Sequence, residues 1–239
     1  MTPPPGWRWQ RFEAVPSTSD LCVTLAEAGE PDRLAVQAVR QTAPRGSRGR
    51  DWVTLPGNLA MSVLLRPACP ASDAGHWALL AAVAMAEAIE SVSPTSRINL
   101  KWPNDLMLGP CKLGGILLDS ALRADGRLDW LVIGCGVNVA QAPAGAAALP
   151  LPVSDTDVAM QFLTRLDEWD RRRLAEGFGA VRHAWGLRGP QLGTWLRIRT
   201  GMHDVGGSFA GLGDTGALLL QTGGQVRAFQ TGDMLQAES

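Results

Sequence analysis

Residues 40–52, RQTAPRGSRGRDW, set four arginines, Arg40, Arg45, Arg48 and Arg50, among the breakers Pro44, Gly46 and Gly49. Such a stretch is neither helix nor strand, so its positive charge sits on a loop. It is either a solvated loop or one that wraps an anion, with glycines admitting the backbone and guanidiniums neutralising the charge. Four other segments hold side chains able to do chemistry: PSTSD (16–20), KWPNDLML (101–108), KLGGILLDS (112–120) and GCGVNVA (134–140). Each also has a plain structural reading. The first is a helix cap, the second a Pro-Asn-Asp turn, and the last two are strands whose glycines permit close packing.

Composition bounds what these segments serve. With 22 basic and 23 acidic residues in 239, the chain carries a formal charge of -1, so any basic site is local and no global field favours a nucleic-acid duplex. Cys22, Cys69, Cys111 and Cys135 form no C-x-x-C and have no histidine at ligand spacing, which argues against zinc and against a disulfide framework and fits a reducing cytoplasm. Cys111 is read as structural although Lys112 adjoins it. His76, His183 and His203 lie far apart and support no histidine-centred apparatus. The start, MTPPPGWRWQ, lacks the charged and apolar regions of a signal peptide, and HWALLAAVAMAEAI (76–89) is too short to span a bilayer. A soluble protein is expected.

The elements that must position these residues follow from periodicity and punctuation. Strands are predicted over 7–15, 33–40 and 58–67, with a short helix after the Ser/Thr cap at 17–30, stopped by Gly29. The longest helical pattern is 72–92, capped by Ser72 or Asp73, with an apolar face wide enough to lie across a sheet. The short β-like runs 97–102, 105–109, 112–122 and 128–139 follow without intervening helices and predict a meander. The Ala/Pro-rich 140–154 reads as a flexible connection, and 156–186 as two helices on which Arg171, Arg172 and Arg173 form a solvated face among acids. From Gly189 onward, glycines and short strands suggest a small β-barrel. The expected domains are therefore 1–188 and 189–239.

The succession S-T, Q-T-x-x-R-G-x-R-G-R-x-W, K-W-P-N-D, K-L-G-G-I-L and G-x-G-x-N-V resembles the catalytic domain of biotin protein ligases. The glycine-rich tail resembles that family's SH3-like C-terminal domain. The resemblance runs from about Phe12 to Met234 and implies an α+β fold, a mixed, largely antiparallel sheet packed by helices. It implies an ATP-dependent, AMP-forming enzyme that activates biotin as biotinyl-5'-AMP and passes it to a lysine of a carboxylase's biotin carboxyl carrier domain. ATP with magnesium and biotin would be the substrates, and a homodimer is possible. Resemblance beginning almost at the start of the chain implies the form without a DNA-binding domain, hence no nucleic-acid partner.

The same resemblance implies site roles. Ser17, Thr18, Gln41, Gly46 and Gly115 would bind biotin. Lys112, Arg45, Arg48 and Asp105 would serve catalysis, Lys112 near the biotin carboxylate and α-phosphate, and Asp105 orienting the incoming amine or supporting the metal. Arg50, Trp52, Lys101, Asn104, Gly134, Gly136 and Asn138 would bind the nucleotide, with Asn138 reading adenine. No metal ligand is assigned. The chain departs from the family's G-R-G-R-x-G-R loop at Pro44, which stands for a glycine, and at Ser47, which stands for an arginine that retains the adenylate. Ser19 replaces the usual asparagine. These departures keep two alternatives open: a lipoate or octanoate ligase or transferase of the same fold, and a biotin-binding homologue without turnover.

Overall fold

The computed structural model describes residues 2–49 and 52–235, with Arg48 described by its backbone alone. Of the site expectations, Arg50 and the Arg48 side chain thus lie outside the described residues. β1 (Arg8–Val15), α1 (Thr18–Glu27) and β2 (Leu34–Gln41) open the chain. β3 (Leu59–Leu65) and α2 (Ala74–Val92) precede β4 (Ile98–Lys101), β5 (Asp105–Leu108), β6 (Cys111–Leu122) and β7 (Leu128–Val137). The seven strands form one sheet in the order β1-β2-β3-β7-β6-β5-β4. β1 and β2 are parallel, which requires a crossover, and α1 supplies it. All other neighbours are antiparallel, and β4 to β7 form the expected meander.

β2, β3 and β7 read as nearly continuous apolar runs because both faces of the sheet are covered. Ala35, Leu59, Met61, Val63, Leu131 and Ile133 face one way, against α2, α3 (Asp155–Glu176) and α4 (Phe178–Gly186), and build the main core. Leu34, Val36, Leu64, Trp130 and Val132 face the other way, against Cys22 and Ala26 of α1. By the same period of two, Ser62, Gly134 and Gly136 lie on the α1 face, where the site forms.

The tail folds as a second antiparallel sheet of β8 (Trp195–Thr200), β9 (His203–Leu212), β10 (Leu218–Thr222), β11 (Gln225–Phe229) and β12 (Asp233–Leu235), ordered β11-β10-β9-β8-β12. Its Ile198, Phe209, Leu218 and Phe229 join the main apolar cluster. The Trp102 indole donates to the Gly216 carbonyl at 3.1 Å, and an imidazole nitrogen of His76 lies 2.7 Å from the Asp214 carbonyl.

One local expectation is refined and two are corrected. α2 starts at Ala74 with Asp73, one of the two expected caps, at its N-cap position, but a preceding 3-10 turn, Ala71–Asp73, leaves Asp73 without a side-chain capping bond, and the Ser72 hydroxyl donates to Asp73. Arg171 and Arg172 are exposed, but Arg173 is tucked against the Trp77 ring, 4.9 Å from its centroid, and bonded to Asp170. The 140–154 connection is irregular but anchored. The Asn58 carboxamide accepts from the N–H groups of Ala140 and Gln141 and donates to the Gln141 carbonyl, and Ala147 N–H donates to the Lys112 carbonyl at 2.9 Å. A buried asparagine supplies the partners that a run of alanines and prolines cannot.

Candidate active site

A cavity opens on the α1 face of the sheet, between the start of α1, β6, β7 and the loop after β2. Ser17, Thr18, Ser19, Gln41, Arg45, Gly46, Ser47 and Trp52 line one side; Met61, Asn104, Lys112, Gly115, Ile116, Leu117, Gly134, Cys135 and Gly136 line the other. It is open to solvent, with a volume of about 60 Å³.

One end is a closed net of neutral hydrogen bonds. Ser17 caps α1, its hydroxyl accepting from the Asp20 N–H at 3.3 Å. The Thr18 N–H and hydroxyl both donate to the Gln41 carboxamide oxygen, at 2.8 and 3.2 Å, and the Gln41 amide donates to Thr54 at 3.1 Å. The Ser62 hydroxyl lies 2.8 Å from that of Thr18 and 3.0 Å from that of Ser19. Ser17, Thr18, Ser19 and Ser62 are all buried, so each hydroxyl needs the partner it has. Gly134 makes this approach possible, since a Cβ there would lie 2.5 Å from the Ser19 hydroxyl oxygen.

The other end is charged. β5 and β6 slip register between Leu106 and Met107, so that Leu106 faces Gly114 while Met107 faces Lys112, which leaves Leu113 as an extra residue. Such a bulge re-aims the neighbouring side chain. The Lys112 ammonium accordingly reaches over Gly115, 3.5 Å from where a Cβ would stand, and meets an Asp105 carboxylate oxygen at 2.5 Å. Asp105 is held by its own turn. The Ile116 N–H donates to the Asn104 carbonyl at 2.9 Å, and the Asn104 side chain donates back to the Ile116 carbonyl at 2.6 Å. Trp52 packs across Gly136, where a Cβ would meet its ring at 2.6 Å, and its ring centroid lies 5.9 Å from the ammonium. Arg45, on the loop, is bonded to Asp20 at 2.7 Å and to Asp119 at 2.8 Å.

The structure thus gathers Ser17, Thr18, Gln41, Arg45, Gly46, Trp52, Asn104, Lys112, Gly115, Gly134 and Gly136 around one cavity. Asp105 enters through its ion pair to Lys112. With Lys101 and Asn104 it also lines an adjoining cavity of about 340 Å³, shared with Arg199 and Asp233 of the second sheet. Asn138 lies apart from the lining: it is buried, and its side-chain oxygen accepts from Asn58 at 3.3 Å. Sequence reasoning did not single out Thr54, Ser62, Met61, Ile116, Leu117 and Cys135, nor Asp20 and Asp119 as partners of Arg45. Ser62 carried a legible signal, a lone hydroxyl inside an otherwise apolar strand.

Burial pushes the Cys135 thiol well above its ordinary range and that of Cys22 up to about 12, so both stay protonated and neither is a nucleophile at neutral pH. Among the described residues no group of three or more histidines, cysteines and carboxylates is placed to hold a metal. No helix among them is long and apolar enough to cross a membrane.

Comparison with known proteins gives a consistent result. Residues 12–138 match the biotin/lipoate A/B protein ligase family. A biotin--[acetyl-CoA-carboxylase] ligase of Paracoccus denitrificans is 38% identical over 200 residues, which span 78% of this chain and 83% of that protein. One of the same name from Mycobacterium tuberculosis is 29% identical over 250 residues, 96% and 90% of the two chains. The structure of biotin protein ligase from Aquifex aeolicus, in complex with biotin and ATP, superposes with a TM-score of 0.80 at 24% identity, covering 95% of this chain and 97% of that one.

Proposed function

Because the chain belongs to the biotin/lipoate A/B protein ligase family, we propose that its cavity activates biotin with ATP and passes the acyl group to a lysine of a biotin carboxyl carrier domain. The observation that carries this reading is the pairing of two unlike ends in one cavity. A neutral, hydrogen-bonded end suits an uncharged ring that both donates and accepts. A cationic end suits the carboxylate and phosphates that must meet.

The first step joins two anions. A carboxylate oxygen of biotin attacks the α-phosphorus of ATP, the bond to the β-phosphate oxygen breaks, and pyrophosphate leaves. Lys112 would lie between the reacting oxygens; the β6 bulge, which aims it over Gly115, supports this role. An ammonium on a flexible stem can follow charge as it builds. Arg45 supplies a second cation from the loop. ATP would arrive as its magnesium salt, whose ion would draw most of its ligands from phosphates and water, with Asp105 as the residue that would support it.

In the second step the carrier amine attacks the acyl carbon and AMP departs with the anhydride oxygen. The nitrogen then sheds a proton. Asp105 sits at the junction of this cavity with the adjoining one, between Lys112 and the second sheet, and is the base within reach of an amine entering from that side. The carrier domain, a homodimer and a cytoplasmic setting belong to the same reading. Ser17, Thr18, Gln41 and Gly46 would face the ring; Trp52, Asn104, Gly134, Gly136 and Asn138, with Lys101, Arg48 and Arg50, would serve the nucleotide side.

The test is pyrophosphate release from magnesium ATP with biotin, lipoate, octanoate or no acid. Release driven by biotin and transfer of label to a carrier domain are expected. Release driven by lipoate or octanoate alone would reassign the substrate, and tight biotin binding without release would remove the activity.

A further inference from the structure

The Arg45 guanidinium bridges two elements on opposite sides of the cavity. Its Nε bonds Asp20 in the first turn of α1, three residues after Ser17, and its terminal nitrogens bond Asp119 on β6, two residues after Leu117. Ser17 and Leu117 both line the cavity, and so do the backbone neighbours Gly46 and Ser47. Among the described side chains of the loop, Arg45 therefore ties it to both of these elements.

We propose that Asp20 and Asp119 are positioning residues that hold the loop beside the cavity through Arg45, so that opening this two-carboxylate bridge speeds escape of the acyl-adenylate formed there. The inference rests on the ligase reading for the identity of the captive and on geometry for the latch. It assigns a retention role to residues outside the cavity lining. It also gives a chain with serine at position 47 another means of keeping its loop shut. One guanidinium shared by two carboxylates is half-exposed, so its hold is modest and salt-sensitive.

The experiment follows dissociation of labelled biotinyl-5'-AMP from the loaded full-length protein for wild type, Asp20→Asn, Asp119→Asn and the double variant, at low and high salt. Each single substitution is expected to speed release about two- to fivefold, the range of a half-exposed ion pair. Release from wild type is expected to quicken with salt, and that from the double variant to be fast and nearly salt-independent. Biotin-driven pyrophosphate release should persist in all four. Equal release rates, or unchanged salt dependence in the double variant, would overturn the latch. If wild type forms no adenylate, the ligase reading fails separately, and hydrogen exchange over residues 42–49 decides the latch. Exchange several-fold faster in the double variant supports it, and equal exchange removes it.

Discussion

The two ends of the cavity solve opposite problems. At the α1 end the net is neutral and engaged, with Thr18 and Ser62 buried and Gln41 and Thr54 half-buried, so these four side chains hold one another in fixed geometry. At the β6 end Lys112 and Arg45 are each matched by carboxylates and remain more than a third exposed. A neutral net is costly to rearrange because each broken bond strands a buried dipole. An exposed ion pair is cheap to exchange, since water and an incoming anion replace the lost partner. On the proposed reading, recognition falls to the rigid end and charge handling to the end able to change partners.

The sharpest test of that division is Lys112→Ala. Loss of a preorganised cation at the reacting oxygens is expected to lower biotin-driven turnover about 10²- to 10³-fold with little change in biotin affinity, measured by pyrophosphate release and calorimetry. A large loss of biotin affinity instead would break the comparison. Thr18→Val is expected to do the reverse. It keeps shape but removes one hydrogen-bond partner each from Gln41 and Ser62, which is expected to raise KM for biotin about 10-fold and to leave kcat within a few-fold.

Gly134→Ala tests whether the neutral net depends on close approach. Its methyl would overlap the Ser19 hydroxyl, and a shift of α1 costing about 1–2 kcal/mol is expected, seen as a lower midpoint of unfolding and a few-fold higher KM. The smallest effect belongs to an ion pair remote from both ends. Burial raises the Glu90 pKa, but the Arg188 guanidinium and the Ile98 N–H outweigh it, so the carboxyl ends below its ordinary value. A depressed carboxyl stabilises the fold above its unfolded pKa and loses that contribution as pH falls through the folded one. Glu90→Gln is therefore expected to cost about 1 kcal/mol at pH 7, to match wild type near pH 3, and to leave kcat and KM unchanged.

The legibility of this protein in its sequence varied by element. The strands over 33–40 and 58–67 and the long helix stood out because apolar runs bounded by breakers leave few other states. Of the two caps offered, Ser72 or Asp73, Asp73 takes the position, but the preceding 3-10 turn leaves it without a side-chain bond, and the solvated reading of Arg173 failed because only the fold brings Trp77 beneath it. Residues 140–154 read as flexible because their partner, Asn58, lies more than eighty residues away.

For the site, the residue types sufficed to mark the arginine loop, the Lys112 and Asp105 segments and the Ser/Thr cap, since charges, glycines and hydroxyls at fixed spacing are local facts. The sequence by itself determined the chemical inventory and, through its resemblance, the family. Which atoms meet was a tertiary decision. The one-residue slip between β5 and β6 turns Lys112 toward Asp105, the parity of β3 and β7 sets Ser62, Gly134 and Gly136 on one face, and the fold carries Asp119 to Arg45 across 74 positions. Register and long-range approach depend on the packing of every element at once, and no window of sequence contains that information.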